Sequence, residues 1–132
     1  MEDSIFTKIV KGEIPCQKVY EDENILAFLD IRPIQPGHIL VVPKLQVQFV
    51  WDLPDDIYAQ LMAVTKKLAL HMREQLPQKY IHEAVVGLDV PHAHVHLIPF
   101  NESSELRKDP SEIVQASDES LKAMAKKLTL DV

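Results

Sequence analysis

Three of the six histidines fall within five residues, as His92, His94 and His96, with Ala93 and Val95 between them. On a β-strand, a period of two sends all three imidazoles to one face, roughly 6–7 Å apart, and Ala93, Val95 and Leu97 to the opposite, packed face. Each ring titrates near neutral pH, and its nitrogens can donate, accept or attack. Stacking three such groups on one strand face costs stability unless something anionic or metallic compensates. The pattern alone leaves two chemistries open. One is a metal site built on neutral imidazoles. The other is phosphoryl or nucleotidyl transfer, with one histidine as nucleophile and its neighbours as proton donors and phosphate partners. His38, in the turn Pro36-Gly37-His38, opens another strand and supplies a fourth imidazole. The remaining two read as ordinary surface or satisfied core residues. His71 lies near the end of a long helix, where a cation complements the dipole, and His82 sits in an alternating strand with no histidine neighbour.

The elements that must carry these residues follow from periodicity and punctuation. Ser4 to Lys11 reads as a short helix with Ile5, Phe6 and Ile9 on one face, stopped by Gly12. Lys18 to Glu21 and Ile25 to Leu29 bracket Asp22-Glu23-Asn24 and read as a hairpin. Asp30 to Gly37 holds Pro33, Pro36 and Gly37 and is a restricted loop. His38 to Val42 is β-rich and ends at Pro43. A long helix is expected from about Pro54 to Gln75, with Asp55 and Asp56 at its positive end, Ile57, Leu61, Val64, Leu68 and Met72 as its buried stripe, and Pro77 beyond it. Tyr80 to Val86 and Ala93 to Ile98 are further strands, the second stopped by Pro99. After an irregular polar stretch from Asn101 to Asp118, Ser117 caps a final helix carrying Leu121, Met124, Ala125 and Leu128. Strands and helices do not alternate strictly, so the class is α+β with an antiparallel sheet.

Composition narrows the function. The chain has 132 residues, 46% of them hydrophobic and 26% charged, which suits one globular domain over 1–132. A formal net charge of −6 argues against a nucleic-acid binder, yet leaves room for a small phosphorylated ligand in a locally positive pocket. With Cys16 as the single cysteine, no internal disulfide and no cysteine-based zinc cluster can form, and a reducing, cytoplasmic setting fits. Neither a signal peptide nor a membrane span is visible. Three glycines against nine prolines imply stiff connections.

Longer motifs surround the triplet. His92-Ala93-His94-Val95-His96-Leu97-Ile98 resembles the signature of the histidine-triad (HIT) family. Leu29-Asp30-Ile31, Pro33, Pro36-Gly37-His38, Leu40-Val41 and Pro43-Lys44 are similar to its second motif. Ile5-Phe6, Lys8-Ile9-Val10, Gly12-Glu13-Ile14-Pro15 and Val19-Tyr20-Glu21-Asp22 resemble its N-terminal block. The match runs in family order over residues 4–100, with 101–132 as a C-terminal tail. The resemblance implies a five-stranded antiparallel sheet with one long helix and short terminal helices, paired as a homodimer through that helix and a strand, with no cofactor and no metal. It implies a purine nucleotide ligand, AMP-like, and a nucleoside phosphoramidate or related AMP-linked substrate. His94 would attack the α-phosphorus to give a nucleotidyl-histidine; His96 would hydrogen-bond the phosphate, His92 would order the array, and His38 would stand beside it. Asp30 would accept the ribose hydroxyls, and Ile5, Phe6, Ile9, Phe28 and Ile31 would hold the base. The residues alone leave Ile5, Phe6, Ile9 and Phe28 equally readable as core. The alternatives are a dinucleoside polyphosphate or nucleotide-sugar hydrolase or transferase, and a non-catalytic nucleotide-binding module; a metal-dependent enzyme is more distant.

The chain departs from the family before the triad. Many relatives close that connection with Gly-Gln-x-Val-x-His; here it reads Gly87-Leu88-Asp89-Val90-Pro91-His92. Leu88 cannot assist a leaving-group oxygen, whereas Asp89, a candidate substrate contact, can accept from a triad histidine and raise its pKa or repel a polyphosphate tail. Some bacterial relatives hold a structural zinc through a Cys-x-x-Cys and a histidine after the Pro-Lys pair; those positions are Ser4, Thr7 and Gln46.

Overall fold

Most of the architecture follows from strand-forming runs and one long amphipathic segment. In the computed structural model, which describes residues 2–131, the elements are α1 (Ile5–Val10), β1 (Lys18–Glu21), β2 (Ile25–Leu29), β3 (Ile39–Pro43), α2 (Asp55–Gln75), β4 (Tyr80–Ala84), β5 (Val95–Phe100) and α3 (Asp118–Leu128). The strands form one antiparallel sheet in the order β1-β2-β3-β5-β4. This is the expected α+β arrangement. The β1–β2 hairpin turns where expected because Asp22 Oδ1 accepts the backbone N–H groups of Asn24 and Ile25, both at 2.8 Å.

β2 and β3 are buried along their whole length, so alternation divides their side chains between two packed faces. Ile25, Ala27, Leu29, Ile39, Val41, Val95 and Leu97 face α2 and α3 in the larger core. Leu26, Phe28, Leu40 and Val42 face Phe6 and Ile9 of α1 in a smaller one. The short helix does not span the five-stranded sheet, and the histidines occupy the face it leaves beside it.

α2 follows Pro54 as its N-cap residue, with Asp55 and Asp56 in its first turn. It buries Leu61, Val64, Thr65, Leu68 and Met72, while Ile57 packs at the margin. Thr65 is tolerated on the stripe because its hydroxyl donates to the Leu61 carbonyl at 2.8 Å. The Ser117 side chain caps α3 by accepting from the Ser120 N–H at 3.1 Å, and Leu121, Ala125 and Leu128 are buried there.

Several boundaries differ from expectation. β4 ends at Ala84, and β5 begins at Val95, so His92 and His94 precede the strand and only His96 lies within it. β5 also runs through Pro99, which pairs with Ile81 of β4. β3 begins at Ile39, opposite Leu97, so beyond that point β5 has a strand on one side only, where a missing N–H is tolerated. His38 sits just before β3. His71 is not a satisfied residue: its Nε2 is buried without a hydrogen-bond partner among the described residues. Leu68 is 0% exposed at the middle of the α2 stripe; Leu68→Ala is expected to cost about 2–5 kcal/mol of unfolding free energy in chemical denaturation.

Candidate functional site

The alternation that the triplet promised survives although two of its members lie outside β5. Ala93, Val95 and Leu97 enter the large core. His92 and His94 turn to the other face, each edge-on to Phe6, at ring-centroid distances of 5.8 and 5.0 Å. The His94 and His96 rings are 5.0 Å apart. His96 is held in the ladder opposite Leu40. The two preceding residues are fixed differently: the Ala93 N–H donates to the Val47 carbonyl at 2.7 Å and the His92 N–H to the Val90 carbonyl at 2.8 Å.

Each ring's tautomer follows from its partners, because a carbonyl only accepts and a backbone N–H only donates. His92 Nε2 is 2.7 Å from the Pro43 carbonyl and therefore carries the proton. Its Nδ1 must accept, so the Ser4 hydroxyl donates to it, at 2.7 Å. His94 Nδ1 donates to the His92 carbonyl at 2.7 Å, which leaves the lone pair on Nε2. His38 Nδ1 accepts the Ile34 N–H at 3.1 Å, so its Nε2–H donates to His96 Nδ1 at 3.0 Å. The proton of neutral His96 then lies on Nε2. The result is one lone-pair nitrogen on His94 beside one N–H donor on His96.

Burial keeps three of these rings uncharged. It drives His38 down to about 3, with neighbouring His96 adding to the shift. His96 falls to about 4, by burial first and the proximity of His94 second. His92 is lowered mainly by burial. Asp89 pulls His96 upward, but more weakly than burial pushes it down, so it does not raise that ring's pKa overall. Asp30, half-buried, is shifted upward by burial; its Oδ1 accepts the Arg32 N–H at 2.9 Å, and its Oδ2 lies 3.8 Å from His38 Nε2.

Two cavities meet at Asp30. One, of about 130 Å³, has apolar walls that include Ile5, Phe6, Ile9, Phe28 and Ile31, together with Cys16. Phe6, Ile9 and Phe28 are also core residues, so both readings of these side chains hold at once; Ile5 and Ile31 are exposed. The other, of about 330 Å³, is lined by Asp30, Arg32, His38, Asp89, His96 and Ile113, among others. His94, 4% exposed, belongs to neither wall and stands between Phe6 of the first and His96 of the second. Every residue expected at the site is therefore near the others. Asp30, His38 and His96 could in principle close on a cation, their ligand atoms lying within 4.8 Å of one another. The tautomers argue against it, since His38 Nε2 is protonated and offers no lone pair.

Other members were not anticipated. Arg32 donates to the Ile113 carbonyl at 2.9 Å, and Lys108 Nζ to Gln35 Oε1 at 2.8 Å, which fastens the segment after β5 over the Asp30–Gly37 loop. Ser4, Thr7 and Gln46, the positions that stand where some relatives have zinc ligands, converge on His92. Thr7 Oγ1 donates to Gln46 Oε1 at 2.6 Å, and Ser4 Oγ accepts the Thr7 N–H at 3.0 Å.

This arrangement can be set beside known proteins. Residues 11–103 match the HIT domain. The chain belongs to the HIT domain family. It is 38% identical over 103 residues to Protein hit of Bacillus subtilis, covering 74% of this chain and 71% of that one. It is 39% identical over 96 residues to the adenosine 5'-monophosphoramidase HNT1 of Saccharomyces cerevisiae, covering 72% of this chain and 61% of the yeast protein. The crystal structure of a Hit-like protein from Bartonella henselae superposes with a TM-score of 0.87 at 30% identity, covering 96% and 94% of the two chains. Among the described residues of this HIT protein, no helix is long and apolar enough to cross a membrane.

The neutral histidines make stability depend on pH. A histidine whose folded pKa lies below its unfolded value of 6.5 contributes fully above about 6.5, and that contribution is lost as pH falls towards the folded value. The thermal midpoint is expected to be flat above pH ~7 and to fall between about 6.5 and 4. Buffer-matched calorimetry checks this, and His38→Gln should flatten part of the slope.

Proposed function

We propose that this protein hydrolyses an AMP-linked phosphoramidate through a nucleotidyl-His94 intermediate. The observation that carries the reading is the His94 Nδ1–H bond to the His92 carbonyl, 2.7 Å long, which leaves Nε2 as the nitrogen free to attack, between an apolar cavity and a polar one. The relative named adenosine 5'-monophosphoramidase supports the substrate class. The purine lies among Ile5, Phe6, Ile9, Phe28 and Ile31, and the ribose hydroxyls donate to Asp30. His96 Nε2–H bonds a phosphate oxygen, and His38 holds that ring in register.

In the first step the His94 lone pair forms a bond to the α-phosphorus as the P–N bond breaks. The leaving nitrogen, protonated from solvent, departs as an amine. In the second step a water oxygen bonds to phosphorus, the P–Nε2 bond breaks, a water proton passes to solvent, and AMP leaves with the lone pair restored. The leaving group occupies the cavity lined by Arg32 and Asp89. The Asp89 carboxylate favours a departing amine over a polyphosphate, and Leu88, 83% exposed, has no donor for a bridging oxygen. These two residues weigh against the dinucleoside polyphosphate reading.

His94→Ala is expected to lower turnover of an adenosine phosphoramidate by at least ~10³-fold, while AMP binding stays within about tenfold. Wild-type rates in that variant would remove the covalent mechanism. Acid-quenched wild-type protein should carry an adenylyl mass on the peptide containing His94. Tight AMP binding with no turnover of any P–N or P–O substrate would instead favour a nucleotide-binding module.

The working unit we propose is a cytoplasmic pair of chains. β4 lies at the sheet edge, and Leu70 on α2, Tyr80 on β4 and Val85 and Val86 just beyond it are exposed. An unprotected edge beside apolar side chains suits pairing with a second copy. Sedimentation should give a dimer, and Val86→Glu should shift it towards monomer.

A further inference from the structure

His94 lies ahead of the β3–β5 ladder, whose first register pair is Val41↔Val95. Sheet hydrogen bonding therefore stops one residue short of it. What holds the preceding turn is a set of uncharged bonds that reaches back to the start of the chain. His92 is 0% exposed and has both ring nitrogens engaged, Nε2 by the Pro43 carbonyl and Nδ1 by the Ser4 hydroxyl, each at 2.7 Å. Ser4 is itself the N-cap of α1. Its backbone N–H donates to Gln46 Oε1 at 2.7 Å, the oxygen that also accepts from Thr7. Gln46 Nε2 donates onward to the Glu2 carbonyl at 2.9 Å.

The Ser4 hydroxyl has two acceptors in reach, Thr7 Oγ1 at 3.2 Å and His92 Nδ1 at 2.7 Å, and the shorter contact is the one to His92. Pro43 fixes the His92 proton on Nε2, which obliges Ser4 to donate to Nδ1, while its oxygen accepts from Thr7. Without the Ser4 hydroxyl, His92 Nδ1 becomes a buried acceptor with no strong donor, since Thr7 Oγ1 is 3.3 Å away and already directed to Gln46. The ring would then rotate, change tautomer or take up a proton. Any of these moves the His92 carbonyl, the group that orients His94.

We propose that Ser4, supported by Thr7 and Gln46, is a positioning residue that locks His92 as its Nε2–H tautomer and so aims the His94 lone pair. The same hydroxyl caps the helix that carries Ile5, Phe6 and Ile9, so one side chain joins the wall of the apolar cavity to the nucleophile. The inference rests on the proposed mechanism only for which step is slowed; the state of His92 is readable without turnover.

The test combines ¹⁵N NMR of the imidazole nitrogens with steady-state kinetics on Ser4→Ala, Ser4→Thr and the control Lys11→Ala. Lys11 contacts Asp3 at the other end of α1. In the wild type, His92 should show a protonated Nε2 and a lone-pair Nδ1 at pH ~8 and keep them below the ordinary imidazole pKa of ~6.5. Ser4→Ala should give a tautomer mixture or a ring that protonates at higher pH, with kcat about ten- to a hundredfold lower and KM within about threefold. Ser4→Thr should restore both signatures, and Lys11→Ala should change neither. If Ser4→Ala does not fold, Thr7→Val removes the next link and should shift the same signals less. An unaltered His92 tautomer in whichever variant folds overturns the proposal, and so does wild-type kcat in Ser4→Ala. If no substrate turns over, the mechanism fails, and the His92 spectrum still decides the clamp.

Discussion

The hydrogen bond from His94 Nδ1 to the His92 carbonyl decides which ring nitrogen keeps a lone pair, and much of the surrounding architecture serves to keep that bond short. A backbone carbonyl is a good partner for this purpose because it cannot itself change protonation state. The other rings follow the same pattern: the Pro43 carbonyl orders His92, and the Ile34 N–H orders His38. Main-chain groups thus set the protonation pattern of the array, and side chains transmit it.

The sheet makes room for this by being two-sided. α2 and α3 pack over one face of the central strands, so β2 and β3 can be apolar throughout and their backbones stay rigid. The small α1 covers only part of the other face, which leaves a trough next to β5. The Asp30–Gly37 loop forms the far bank. Gly37 enables its turn with φ +93°, and an added Cβ there would lie 3.1 Å from Leu76 Cδ1, so neither the conformation nor the space admits a larger residue easily. The segment after β5 bolts that loop down through Arg32 and Lys108.

Much of this was readable in the order of residues. Alternation put the three histidines on one face, the Asp22 turn marked the hairpin, and the apolar stripe of α2 was visible at helical spacing. Alternation alone starts β5 too early, because the apolar-polar pattern continues through His92 and His94 although the ladder does not reach them. Pro99 looked like a stop because its missing N–H matters only where strands flank both sides, and pairing on each side is a property of the assembled sheet. The Ser4–His92 bond joins residues 88 positions apart. Ser4 and Thr7 depart from a metal-binding pattern, but nothing local shows that they hydrogen-bond instead. Arg32 entered the site through a carbonyl 81 residues away, an acceptor that every residue possesses and no sequence pattern marks.

The uncharged state of the buried rings has a bearing on how tightly an anion can be kept. Asp30 and Asp89 bring negative charge, Arg32 is the fixed cation on the polar cavity's wall, and the chain as a whole carries −6. A phosphate in the trough is therefore met chiefly by neutral N–H dipoles, whose attraction falls away over a short distance, unlike that of a cluster of lysines or arginines. Such a site grips well only when the ligand is closely seated. It has little means of holding a product that has begun to drift, so in the proposed reaction the exit of a spent nucleotide would follow from the neutrality of His38, His92 and His96.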